Sequence, residues 1–211
     1  GSPTYSSLNS GYLNFNGSTQ YVTTNYNQTN VISYSIGVWF STTATNADGV
    51  LVQNRGVAST SGKSLTLGLS PYINASGSLG TASAGRLFFA ADTDGALESV
   101  CTNSSFNDGQ WHYVLATFNR ASGNVDPNTD FEIYVDGVLQ SVSSTSAGGG
   151  GVSVPLTGIE GTTMAKHFAW MGETGGPSLF NGKIATIQIY NKKLSSDLVQ
   201  HNYNALKYRY T

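Results

Sequence analysis

Twelve acidic residues are the natural place to look for chemistry, and only four of them are glutamates: Glu98, Glu132, Glu160 and Glu173. Hydrolysis of a glycosidic bond needs two carboxylates roughly 5–9.5 Å apart, and no strand-like run holds two glutamates. The nearest imitation is Asp130, Glu132 and Asp136, which period-2 alternation places on one face with Tyr134. The same alternation buries Phe131, Ile133 and Val135 on the opposite face, so the acidic side reads as the solvent face of a strand. His112, His167 and His201 are scattered, with no nucleophile arrangement around them. The glycine run 148–151 lacks the Lys and the following helix of a phosphate loop. No catalytic residue is expected.

Binding chemistry is better represented. Hard cations take oxygen ligands, and loops with Asp or Asn at alternate positions can present several together. Two stretches qualify as candidate calcium loops: Asp126-Pro127-Asn128-Thr129-Asp130, with Asp126, Asn128 and Asp130 as ligands, and Asp92-Thr93-Asp94-Gly95, with Asp92 and Asp94. Neither carries the full ligand series of a calcium loop, so Ca2+ is possible and no cofactor is certain. A saccharide needs an aromatic face for its C–H surface and fixed amide or carboxylate partners for its hydroxyls. Trp170 with Glu173, beside His167, is one such cluster; Asn54 and Arg55, after Val52, are expected to line a neighbouring loop edge.

The elements that position these residues read as strands. Between Asn107 and Gln140, the apolar runs around Trp111–Phe118 and Phe131–Leu139 are punctuated by Asp108-Gly109 and Asp136-Gly137. Trp111, Tyr113 and Leu115 alternate with His112, Val114 and Ala116, so both faces are largely apolar and the strand belongs inside a packed sandwich. The Asp-Gly pair at 136–137 supplies the positive φ values of a tight hairpin. Residues 12–24 predict a first strand and its partner, turning at Asn16-Gly17. Tyr34, Ile36, Val38 and Phe40 form one apolar face of the next strand, with Trp39 interrupting the polar one. Leu65, Leu67 and Leu69 alternate cleanly, residues 70–85 read as a long loop or weak hairpin, and Arg86–Ala90 turns at Asp94-Gly95 toward Leu97–Thr102.

Ser143–Gly151 is expected to be mobile, and Phe168–Met171 to be a strand followed by a turn at Gly175-Gly176-Pro177. In Lys183–Tyr190 the set Ala185, Ile187 and Ile189 is expected to face the core. Ser195 or Ser196 caps a short amphipathic helix through Val199, Tyr203 and Leu206, with Leu194 stapling its start. The tail Tyr208-Arg209-Tyr210 is expected to run on toward a neighbouring domain.

Composition narrows the class. In 211 residues only 10% are charged and the formal net charge is −2, so the surface is Ser, Thr, Asn and Gly, and no electrostatic footprint for nucleic acid exists. Half of the ten basic residues fall late, spread over a strand and a helix, and read as a solvated face. Cys101 is the lone cysteine, read as a buried inert thiol, so stability rests on packing. No run approaches a membrane span and no signal peptide is visible. Gly1-Ser2 resembles the scar of an expression tag. The expected organisation is an N-terminal extension over 1–11 and one domain over 12–211. Asn16, Asn27, Asn74 and Asn103 each open an Asn-x-Ser/Thr sequon, a pattern chance explains in this composition.

Asp108-Gly109-Gln110-Trp111-His112-Tyr113-Val114 followed by Ile133-Tyr134-Val135-Asp136-Gly137 resembles the laminin G-like (concanavalin A-like) family. Tyr12-Leu13-Asn14-Phe15-Asn16-Gly17 resembles its first strand; Phe180–Ile184 and Tyr190–Ser195 resemble its last. Four motifs in order over residues 12–200 imply an all-β, antiparallel two-sheet jelly-roll sandwich with one short C-terminal helix. The resemblance makes His112 a core histidine of the Trp-His pair. It leaves the family's usual metal position in doubt, with Asn16, Gln20, Ala185 and Gly62-Lys63-Ser64 where relatives often carry acids. It further implies a non-catalytic recognition or adhesion module. That module is expected to bind glycan or cell-surface polysaccharide through rim loops, within a larger extracellular, cell-surface or virion protein. A purely structural or oligomerising phage, viral or bacterial surface domain is the alternative, with a glycoside hydrolase or lyase behind both.

Overall fold

The computed structural model describes residues 1–28, 30–45, 49–55, 64–69, 73–74, 77–78, 84–93, 96–148, 150–156, 159–164 and 179–210. In chain order the strands are β1 (Thr4–Ser6), β2 (Tyr12–Asn16), β3 (Val22–Gln28), β4 (Ser33–Ser41), β5 (Gly49–Arg55), β6 (Ser64–Leu69), β7 (Ile73–Asn74), β8 (Gly77–Ser78) and β9 (Arg86–Thr93). They continue as β10 (Ala96–Ser105), β11 (His112–Asn119), β12 (Gly123–Asn124), β13 (Phe131–Val135), β14 (Val138–Leu139), β15 (Val142–Gly148), β16 (Ser153–Val154), β17 (Ile159–Met164) and β18 (Asn181–Tyr190). Helix α1 is Pro127–Asp130 and α2 is Ser196–Leu206.

A front sheet runs β1-β2-β18-β4-β11-β13-β14 and a back sheet β15-β10-β9-β6-β5-β17-β3, antiparallel throughout. The alternating apolar residues meet between them: Tyr34, Ile36, Val38 and Phe40 from β4, and Val114, Ala116 and Phe118 from β11, face Leu65, Leu67 and Phe89 of the back sheet. Phe131 bridges the layers, with ring centroids 5.2 Å from Phe89 and 5.5 Å from Phe118. Each such aromatic pair adds about 0.5–1.5 kcal/mol beyond area burial.

The second apolar face of β11 is explained by another core. Trp39, Tyr113, Leu115 and Tyr134 on the outer side of the front sheet pack under Leu194, Val199 and Tyr210. Trp39, which interrupts the polar face of β4, is completely buried. It stacks 4.5 Å from Tyr210 and 5.7 Å from Tyr203, so the helix and the chain end fold back onto it. The tail folds back against the front sheet: Tyr210 is buried, whereas Tyr208 is exposed. Ser195 holds the N-cap position without a side-chain bond; Leu194 is tied down instead, its N–H donating to Ser35 Oγ at 2.9 Å.

Four further expectations are corrected. First, β2 and β3 are not partners: β2 pairs with β1 and β18, whereas β3 pairs with β17 in the other sheet. The Asn16 carboxamide accepts from the Ser18 and Thr19 N–H groups, which turns the chain from one layer to the next. Second, β1 adds to β2, so the sheet begins ahead of residue 12. Third, Val142–Gly148 forms an edge strand along β10 from Thr102 to Ala96, held by the backbone ladder. Fourth, the register of β18 against β4 shifts between Ile184 and Ile187. That bulge places Ile184 in the main core together with Ile187 and Ile189, which simple alternation forbids. Within 70–85, β7 and β8 pair as the weak hairpin. The expected strand at 168–171 and turn at 175–177 lie outside the described residues. Cys101 is only half-buried.

Candidate functional site

A group of polar side chains lies where β2, β4 and β18 meet, against the Asp108–Gln110 turn. A cleft of about 240 Å³ opens there between Asn14, Thr43, Asn181 and Lys183. Its frame is fixed by an internal relay: Ser41 Oγ donates to the Gly109 carbonyl (2.9 Å), the Gly109 N–H to the Thr42 carbonyl (2.9 Å) and Thr42 Oγ1 to the Asn181 carbonyl (2.6 Å). Gly182 keeps the floor open, because at its φ of 150° a Cβ would stand 2.5 Å from the Ser41 carbonyl oxygen. With the frame committed to itself, the carboxamides of Asn14 and Asn181 and the hydroxyl of Thr43 are exposed toward solvent.

An aromatic edge flanks the cleft. Alternation along β2 puts Tyr12 on the same face as Asn14; Tyr12 meets Trp111 edge-to-face at 5.5 Å, and Trp111 leans on Tyr210 at 5.0 Å. Lys183 Nζ lies 5.5 Å above the Tyr12 ring. Donors, acceptors and a half-buried aromatic pair on one surface suit a hydroxyl-rich ligand. The sequence reading missed this group. The available signal was a row of outward polar residues on β2 and a lysine on a strand, but only sheet pairing shows Asn14 opposite Lys183.

Beside the cleft, His112 joins the two Asp-Gly turns. Its Nδ1 lies 2.8 Å from Asp136 Oδ2 and its Nε2 3.2 Å from Asp108 Oδ1, while Asp136 Oδ1 accepts the Tyr113 N–H at 2.8 Å. Burial alone would lower the His112 pKa, but the carboxylates of Asp136 and then Asp108 outweigh it and hold it above its ordinary value. The Gln110 N–H, and to a lesser degree His112, hold the Asp108 carboxyl below its usual range. With a carboxylate against each ring nitrogen, neither nitrogen is turned toward a ligand. The carboxylates also sit on opposite nitrogens and cannot converge on one ion.

The acidic trio of the hairpin is not one face. Asp130 ends α1 instead of starting a strand: Asp126 caps that turn, accepting the Asn128 N–H at 3.0 Å, with Pro127 in the first helical position. Asp130 is buried and accepts the Asp126 N–H (2.7 Å) and Arg120 Nη1 (3.3 Å). Glu132 pairs with Lys193 at 2.7 Å and accepts from Tyr134 Oη at 2.9 Å. Burial, and then Glu132, push the Tyr134 pKa up to about 12.

The other expected ligand positions separate. Asn128 Oδ1 accepts from Ser144 Oγ at 2.7 Å. Asp92 is half-buried in β9 opposite Leu97 and Ser64; Asp94 lies outside the described residues. Among the described residues no group of three His, Cys, Asp or Glu is placed to hold a metal ion. Asn54 is a correction: it is buried, and its Nδ2 donates to Tyr34 Oη at 2.6 Å inside the sandwich, so it lines no rim. The bulge of β5 between Val50 and Val52 turns it inward. The Arg55 side chain, His167, Trp170 and Glu173 lie outside the described residues.

Two stacked antiparallel sheets with a helix sealing one outer face define a concanavalin A-like sandwich. The chain belongs to the concanavalin A-like lectin/glucanases superfamily, whose laminin G family model matches residues 16–200. No curated protein sequence matches it. Among solved structures it is similar to botulinum neurotoxin type C in a study of its interaction with two ganglioside molecules (TM-score 0.61, 18% identity, 98% of this chain and 45% of that one). It is also similar to the heptameric SAP-like pentraxin of Limulus polyphemus (TM-score 0.54, 14% identity, 89% and 78%). A third is domain 4 of an extracellular arabinanase of Geobacillus stearothermophilus, solved with arabinotriose (TM-score 0.51, 14% identity, 95% and 81%). The chain thus spans under half the neurotoxin chain, and at these identities the likeness is one of fold.

Proposed function

We propose that the domain is a non-catalytic recognition or adhesion module that binds carbohydrate, as part of a larger extracellular, cell-surface or virion protein. The observation that carries this reading is the polar cleft at Asn14, Thr43 and Asn181 with the Tyr12–Trp111 pair along its edge. Glycans are held in that way, C–H faces on aromatic rings and hydroxyls on fixed amides. A domain of similar fold was solved with arabinotriose, and another binds gangliosides, which supports the same use of this sandwich. The carboxylates of Asp130, Glu132 and Asp136, each engaged by a separate partner, favour binding over bond cleavage.

A glycan array run with calcium and with chelator tests the reading. Binding of at least one glycan class is expected, and Tyr12→Ala should weaken it roughly tenfold by removing aromatic contact area. Binding that requires calcium would show that a cation takes part in it. Release of sugar from any polysaccharide, lost in Glu132→Ala, would instead make the protein an enzyme.

A further inference from the structure

Among the described residues, Lys183 is the one charged side chain lining the cleft. Lys193 is paired with Glu132 and Arg120 with Asp130, whereas Lys183 lies over the Tyr12 ring. A ring face positions an ammonium without neutralising it and leaves its N–H donors usable. Asn14, directly across the ladder on β2, is neutral, as are Thr43 and Asn181. Asp108, next to the lining Gly109, turns its carboxylate toward the Gln110 N–H and His112. The described residues therefore make the cleft a neutral hydrogen-bonding surface with one positive point in it.

Building on the saccharide reading, we propose that this cleft takes a sugar bearing a carboxylate. The Lys183 ammonium pairs with the acid, the Asn14 and Asn181 carboxamides hold hydroxyls, and Tyr12 lies against the C–H face. The chain carries a net charge of −2, so no broad positive field draws polyanions to it and the preference must arise locally. A charge-assisted hydrogen bond is about twice as strong as a neutral one, which sets the selectivity expected.

The test compares oligogalacturonate and sialyllactose with their carboxyl-reduced forms by titration calorimetry, with heparin as a polyanion control. The carboxylated sugar should bind about tenfold or more tightly than its reduced form. Lys183→Gln should erase that difference, and Lys183→Arg should preserve it. Asn14→Asp, on an exposed site of the neighbouring strand, should erase it independently. Which acid binds decides between a uronic and a sialic source. Equal binding of acid and reduced sugar overturns the inference and leaves the saccharide reading standing; no binding of any saccharide overturns both. Heparin bound as tightly as the carboxylated sugars would also overturn it, since charge density alone would then suffice.

Discussion

Trp39→Ala should lower the thermal unfolding midpoint by roughly 6–20 °C. That range follows from about 3–5 kcal/mol for truncating a buried tryptophan and about 2–4 °C per kcal/mol for a chain of this size. The indole is fully buried, and Tyr210 at 4.5 Å, Tyr113 at 5.4 Å and Tyr203 at 5.7 Å all rest on it. Removing it takes away the surface on which α2 and the chain end are seated. Its Nε1 has no hydrogen-bond partner among the described residues, so Trp39→Phe should cost well under half as much. Calorimetry of the two variants, with protease cleavage near residue 206 as a second readout, checks the account. An unshifted midpoint for Trp39→Ala would show that the helix does not depend on this contact.

Asp136→Ala should cost about 3 kcal/mol or more. The carboxylate receives the Tyr113 N–H and His112 Nδ1, both at 2.8 Å, and hydrogen bonds to a charged group contribute about 1.5–3 kcal/mol. Asp136 also sits at a φ of 52°, where alanine pays about 1–2 kcal/mol that aspartate and asparagine largely avoid. Asp136→Asn keeps that conformation and an acceptor for Tyr113, and so isolates the ionic part. This part is reduced by solvent, since the Asp136 side chain is 33% exposed.

Its pH dependence has a definite sign. Folding raises the His112 pKa above its ordinary value of 6.5. The contribution is therefore complete below about pH 6.5 and is lost as pH rises through the raised value. Asp108 works the other way: its lowered folded pKa contributes above its ordinary value of 3.8 and is lost as pH falls through the lowered one. The stability difference between wild type and Asp136→Asn should thus be largest on the acid side of neutrality and shrink in alkali. A difference that stays flat from pH 5 to 9 would remove His112 from the ion pair.

The sandwich was legible in the sequence because burial on a strand has period 2. Phe131, Ile133 and Val135, or Leu65, Leu67 and Leu69, announce one buried face whatever they pack against. The helix was legible for the same reason at its own period, through Val199, Tyr203 and Leu206. Turn chemistry located both Asp-Gly corners, since few residues tolerate positive φ. Parity fails wherever a residue is inserted: the bulges in β18 and β5 sent Ile184 and Asn54 inward, and nothing in the local pattern marks an insertion.

Pairing between distant segments was decided only in three dimensions. Backbone ladders are indifferent to side-chain type, so Val142–Gly148 became a strand despite its serines and Gly148, and β2 and β3 parted into different sheets. The cleft has the same origin, because Asn14, Thr43, Asn181 and Lys183 are separated by up to 169 positions in the chain and meet only when β2, β4 and β18 align. Residue identity fixes which side chains want water, an aromatic ring or a charge. Which of them stand together depends on hydrogen bonds between strands far apart in the chain, and those leave no local trace.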